Sequence, residues 1–201
     1  MRGRAYGDPE DASYISCMNI ALRTPLTVDQ YLAWARAQSE PPHTELINGQ
    51  IVPMSPERVA HNRTKIKVLL ALRQALVTAA VVGEVFIDGL TVPIDEHTAY
   101  EPDVLVRCGD PLPADQMKVT DPIIVVEVKS PSTAHMDTSS KLVGYFKLAS
   151  VHHYLYVDPD ARKVTHHTRA ADGTILAHML ASGPLRLDPP GLVVEAADLL
   201  G

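Results

Sequence analysis

The alternation of apolar and polar positions divides the chain into short, readable elements. In "TVDQYLAWARAQ", Thr27 stands three residues before Gln30, the spacing of a capping box, and Tyr31, Leu32, Trp34 and Ala35 supply the apolar side of a helix that Pro41-Pro42 ends. In "HTELINGQIVPM", Asn48-Gly49 lies between two apolar runs, which predicts a two-residue type I′ hairpin. Glu45 then sits on a strand, on the opposite face from Leu46. From Ser55 to Ala80, Ile66, Leu69, Leu70, Leu76 and Val77 recur at helical spacing and predict a long amphipathic helix packed on a sheet. Its first half carries Arg58, Arg63, Lys65 and Lys67.

Four strand-like segments follow, "GEVFIDG", "LTVPID", "EPDVLVRC" and "DPIIVVEV", separated by Gly, Pro and Asp. "TSSKLVGYFKLAS" reads as a helix with Thr138 or Ser139 near its cap. A meander of strands then turns at Asp158-Pro159 and Asp172-Gly173, and "GLVVEAADLL" supplies a last strand or helix end. Residues 1–24 show no sustained period and read as a loosely docked extension, with Met18 as an alternative start. Residues 25–201 read as a single domain. The order of elements suggests an α/β fold, a mixed central sheet with helices on both sides.

The segment "IIVVEVKSPST" ends an apolar strand in Glu127 and Lys129. Side chains two apart share a strand face, so the acid and the base are neighbours, roughly 6.5 to 7 Å apart along the strand. Taken alone, such a pair reads as a solvated ion pair at a sheet edge. Two features point elsewhere. The strand is apolar on both faces before Glu127, which suits a central position. Asp103, after Pro102, opens the preceding strand, and antiparallel pairing would bring it beside the end of the next one. Asp103, Glu127 and the carbonyl of Val128 are hard oxygen ligands suited to Mg²⁺ or Mn²⁺. With Lys129 as a nearby cation, the set suits metal-assisted phosphodiester hydrolysis.

Composition narrows the picture. At 201 residues, 46% hydrophobic and 21% charged, the chain has the make-up of a soluble globular domain. A net charge of -6 argues against a protein that coats nucleic acid nonspecifically, but not against an enzyme holding it through a metal and a local basic face. Cys17 and Cys108 form no framework, which with the lack of a secretory signal suggests a cytoplasmic setting. The most apolar run, Val68 to Val82, is interrupted by Arg73 and Gln74 and is too short to span a membrane.

"EPD" at 101–103 followed by "EVK" at 127–129 resembles the motif of the PD-(D/E)XK nuclease superfamily. The series "TVDQYLAW", "ELINGQIVPMSP", "EVKSPST" and "KLVGYFKLASVHHYLYVDP" is similar to one bacterial branch of it, the Uma-two-type restriction-endonuclease-like proteins. The resemblance implies a restriction-endonuclease-like fold and a Mg²⁺- or Mn²⁺-dependent endonuclease acting on DNA, with Asp103 and Glu127 as metal ligands. It places Lys129 as the catalytic lysine, Glu45 as a further acid at the same cleft, and Lys141 and Tyr145 on one face of the later helix. Many members lack the motif lysine and a helix lysine is thought to substitute; this chain has both, so the choice between Lys129 and Lys141 stays open. The alternative is a catalytically idle nucleic-acid-binding or assembly module of the same fold. A homodimer would suit double-strand cutting.

Other candidates have plainer readings. His61, where the resemblance also places a histidine, reads as structural or capping, with a general-base or phosphate-binding role as the alternative. Asp137 reads as a cap or ion pair. His152-His153 and His166-His167 lack zinc-site spacing and read as strand or turn residues. The Arg58, Arg63, Lys65 and Lys67 cluster suits either a phosphate backbone or a solvated helix face.

Overall fold

The computed structural model describes residues 25–39, 43–129 and 138–200. The extension at residues 1–24, the Ser-Pro break after Lys129 and Asp137 lie outside them. The first helix, α1 (Val28–Ala37), carries both bonds of the capping box: Thr27 Oγ1 accepts from Gln30 N, and Gln30 Oε1 accepts from Thr27 N. It buries Val28, Tyr31 and Leu32 against Leu46 and Ala99, with Ala35 buried as well. The hairpin β1 (Thr44–Ile47) and β2 (Gln50–Pro53) turns at Asn48 and Gly49, with φ of 51° and 75°. That is the left-handed pair a type I′ turn demands. A Cβ on Gly49 would stand 2.4 Å from Cβ of Pro25, so the turn also needs glycine for space.

The long helix α2 (Val59–Thr78) departs from the expected face. Ile66, Leu70 and Val77 are 45%, 56% and 70% exposed, while His61, Thr64, Lys65, Val68, Leu72, Ala75 and Leu76 are buried. Apolar residues lie on both its inner and its outer side, so spacing alone did not fix its orientation. Polar side chains at its start are turned inward by acids waiting there. Lys65 consequently leaves the proposed basic face and is fully buried, whereas Arg58, Arg63 and Lys67 are exposed.

Next come β3 (Gly83–Ile87), β4 (Val92–Asp95), the short β5 (Thr98–Tyr100), β6 (Val104–Cys108) and β7 (Ile124–Val128). Helix α3 (Thr138–Tyr145) lies in the crossover to β8 (His153–Asp158), which pairs with β7 in parallel. The meander β8, β9 (Lys163–Arg169) and β10 (Ile175–Leu180) is antiparallel. A ribbon of β11 (Pro184–Leu187) and β12 (Leu192–Glu195) leads into α4 (Ala196–Leu200), so the final segment is both strand and helix.

These strands form a six-stranded mixed sheet, β10-β9-β8-β7-β6-β3, a four-stranded antiparallel sheet, β2-β1-β5-β4, and the two-stranded ribbon. The single sheet expected from sequence is thus a central sheet with a smaller companion, because β4 pairs with the unforeseen β5 instead of joining β3 and β6. Alternation along the central strands separates two cores. Val104, Val106, Ile124, Val126, Val128, Leu155 and Val157 face α2 and α4. Leu105, Val125 and Tyr154 face the opposite way, toward α3 and β4. β7 sits between β8 and β6, buried on both faces as its apolar run predicts. Among the described residues no helix is long and apolar enough to cross a membrane.

Candidate active site

The antiparallel register of β6 and β7 pairs Val104 with Val126, which continues to Asp103 opposite Glu127. Asp103 is drawn to the end of β7 directly: its Oδ2 accepts from Val128 N at 2.6 Å. The carbonyl of the same residue accepts from Nε2 of His61 on α2, at 2.9 Å. The two backbone groups of one residue, Val128, thus tie together a side chain from the start of β6, the end of β7 and the first turn of α2.

On the α3 face, Glu127 follows Val125 by alternation and meets the helix. Lys141 Nζ lies 3.0 Å from Glu127 Oε1 and 2.9 Å from Glu45 Oε1, and Tyr145 donates to Glu127 Oε1 at 3.1 Å. Glu45 is 4% exposed and also accepts from Glu101 N at 3.0 Å, which fixes β1 to the residues leading into β6. The helix reaches this deep because Gly144 lies against Tyr100: a Cβ there would stand 2.6 Å from the ring edge. Lys141 also lies 5.8 Å from the centroid of the Tyr100 ring, a cation–π contact. The structure therefore brings Glu45, Glu127, Lys141 and Tyr145 into one cluster, with Asp103 across the end of the sheet.

Lys129 takes a different course. It lies one residue past β7, and its ammonium pairs with Asp158 Oδ2 at 2.8 Å, at the end of the parallel neighbour β8. It shares the face of Glu127 as alternation requires, but its long stem carries the charge sideways. Lys141 is the lysine that stands on the acids.

The α2 side holds a second group of charges. His61 Nδ1 is 3.4 Å from Glu57 Oε2, and His61 Nε2 is 3.4 Å from Asp103 Oδ2. Buried Lys65 hydrogen-bonds Glu57 Oε1 and both oxygens of Asp88, at 2.7 and 2.6 Å, and lies 3.9 Å from Asp103 Oδ1. Sequence reasoning favoured a structural or capping role for His61, placed Lys65 on a basic helix face and passed over Glu57 and Asp88. The signal was present: positions 57, 61 and 65 are four apart, so they fall in line with Val68 and Leu72 on the core side, where unpaired charges are not tolerated.

Burial lifts the Glu127 carboxyl to about 7, with the charges of Asp103 and Glu45 adding to the rise and Lys141 opposing it. Burial alone would lower His61, but the hydrogen bond and charge of Asp103, the Val128 carbonyl and Glu57 outweigh it and raise the imidazole to about 9. Burial also acts against Lys141, yet Glu127 and Glu45 hold its ammonium firmly in the charged form. Both acid groups are therefore arranged to keep a cation.

The donor set fits a divalent metal ion. Glu57, His61 and Asp103 each offer one ligand atom within 4.8 Å of the other two. His61 Nδ1 is buried and makes no hydrogen bond, so the imidazole can turn a free nitrogen toward an ion. Carboxylates with one imidazole suit Mn²⁺ and tolerate Mg²⁺. His153 and His166 form no such site. They face each other from β8 and β9, His153 Nδ1 2.9 Å from His166 Nε2, and His153 Nε2 is 2.9 Å from the Pro189 carbonyl.

Comparison with known proteins agrees with this architecture. A protein of Synechocystis sp. whose function is uncharacterized is 29% identical over 162 residues, which span 77% of this chain and 87% of that one. A crystal structure from Anabaena variabilis, described as "a putative nuclease belonging to DUF820", superposes with a TM-score of 0.69 at 16% identity. It covers 88% of this chain and 98% of its own, and so shares the fold. A family model described as "Putative restriction endonuclease" matches residues 28–196, from the first helix to the last, and the chain belongs to that family, Uma2.

Proposed function

We propose that this protein is a divalent-cation-dependent endonuclease that hydrolyses phosphodiester bonds in DNA. The observation that carries the reading is the backbone of Val128, held by Asp103 on its N–H and His61 on its carbonyl, beside Glu127 at the end of the same strand. Asp103, Glu127, the Val128 carbonyl and His61, with Glu57 behind them, are the groups that would hold Mg²⁺ or Mn²⁺. When bound, such an ion supplies a Lewis acid for the phosphoryl oxygens and lowers the pKa of water.

The chain's own residues do the rest. Lys141 orients the Glu127 and Glu45 carboxylates and places a fixed positive charge where the phosphorane builds negative charge. Tyr145 locks the Glu127 rotamer by donating to the same oxygen as Lys141. Glu45, fixed by Lys141 and the Glu101 amide, is placed to orient the attacking water. Lys129, half-buried on its Asp158 partner, suits a phosphate of the nucleic-acid backbone better than the reacting one.

The test is nicking of supercoiled DNA by purified protein in Mn²⁺ or Mg²⁺. Glu127→Ala and Asp103→Ala should abolish it. Equal cleavage by wild type and Glu127→Ala would sink the site assignment, and DNA retention without cleavage in every ion would favour the binding-module reading.

A further inference from the structure

Two cation positions stand one helical turn apart on α2, and they share their carboxylates. Glu57 directs Oε2 toward His61 and Oε1 toward Lys65. Asp103 does the same, with Oδ2 toward His61 and Oδ1 toward Lys65. Around Lys65 the two are joined by Asp88, which gives both oxygens to the ammonium. The three N–H bonds of Lys65 are all used, on Glu57 and Asp88, and the side chain is sealed from solvent. A lysine this buried is retained only where opposing charge holds it.

We propose that Lys65 is a built-in second cation of the site, filling through Glu57, Asp88 and Asp103 the place that two-ion phosphodiester hydrolases give to a second metal, so that each chain takes one divalent ion. The inference rests on the metal-dependent reading above. Two-ion sites need carboxylates that bridge ions about 3.5 to 4 Å apart. Here the bridging oxygens of Glu57 and Asp103 are already divided between His61 and an ammonium. The charge on the α2 side agrees. Once His61 has released its proton to ligate, Glu57, Asp88 and Asp103 less Lys65 leave two negative charges, which one divalent ion balances and a second would overfill in a buried volume.

Counting Mn²⁺ by electron paramagnetic resonance titration, without DNA, tests the proposal independently of cleavage. Wild type should bind one ion per chain. Two ions in the wild type would overturn the role of Lys65 while leaving the metal reading intact; none would overturn the metal reading itself. Lys65→Ala opens the acid trio, and its count should rise from one to two, with a melting temperature that climbs through a second step as Mn²⁺ is added. Lys65→Arg, which keeps the charge, should bind one. A folded Lys65→Ala that binds one ion at unchanged affinity would overturn the proposal. Should that variant not fold, the wild-type count alone still decides.

Discussion

Replacing Lys141 by methionine removes the cation from between two buried acids while keeping most of its volume. The ammonium sits 3.0 Å from Glu127 and 2.9 Å from Glu45, both of which have little access to water. Breaking a buried pair by deleting one partner costs about 3–5 kcal/mol when the stranded charge cannot escape. Glu127 can escape, by taking a proton. Its carboxyl already lies at about 7, and without Lys141 it rises further. Because the folded value exceeds the unfolded one, stability is highest below the unfolded value and falls as pH rises through the folded one. The variant should therefore lose about 3–5 kcal/mol at pH 8.5, where Glu127 is charged or must bind a proton from a dilute supply, and roughly half of that at pH 5.5. Urea unfolding at the two pH values measures both losses. Glu127→Gln in the Lys141→Met background should recover much of the alkaline loss, since an amide needs no counter-charge. A loss that is the same at both pH values, with no recovery in the double variant, would refute the assigned electrostatics.

Four further outcomes are expected. Lys141→Met should reduce DNA cleavage by at least about 100-fold, the scale of losing one transition-state donor, and Lys129→Met far less; the reverse order in a nicking assay would return the catalytic role to Lys129. Mn²⁺ affinity should rise nearly tenfold per pH unit between about 6.5 and about 9, because His61 must release its proton to ligate, and calorimetry on His61→Gln should show a flatter profile. Burial holds His153 and His166 at about 4, below the ordinary imidazole, so their contribution is present above about 6.5 and is lost as pH falls toward 4. With ~1.4 kcal/mol per pH unit for each proton, ~3 kcal/mol should be lost for one ring, and His166→Gln should blunt that acid slope in urea midpoints. Gly144→Ala should lower stability by about 1–3 kcal/mol as its methyl meets Tyr100, and should weaken cleavage by moving Lys141; an unchanged melting temperature and rate would show that Tyr100 yields without displacing α3.

Those histidines resist protonation for a geometric reason as well as burial. The Pro189 carbonyl can only accept, so His153 carries its proton on Nε2 and accepts from His166 Nε2 through Nδ1. A proton added to His153 Nδ1 would meet an N–H head-on.

What could be read from the chain follows from how local each signal is. The hairpin at Asn48-Gly49 and the capping box at Thr27 and Gln30 depend on neighbours in sequence, and both stand as expected. The juxtaposition of Asp103 and Glu127 needed only antiparallel pairing of two consecutive strands, and the register supplies it. The orientation of α2 was hidden because its outer side carries Ile66, Leu70 and Val77, so periodicity offered two competing faces. The Lys65–Asp88 pair spans 23 residues and depends on the turn after β3, which no helical spacing reports. Alternation put Glu127 and Lys129 on one face but says nothing of where a four-carbon stem delivers its charge. That was settled by Asp158, contributed by the neighbouring strand 29 residues further on.

The position of α3 in the crossover between β7 and β8 has a consequence for biosynthesis. Parallel strands cannot be joined by a tight turn, so β8 is available to pair with β7 only after the intervening segment has been made. That segment carries Lys141 and Tyr145. A nascent chain that has just completed β7 holds Glu45, His61, Asp103 and Glu127 but neither the lysine nor the tyrosine that orders them. The segment that lets the sheet close is therefore also the one that completes the cluster, and a chain interrupted after β7 carries the acids without Lys141 and Tyr145.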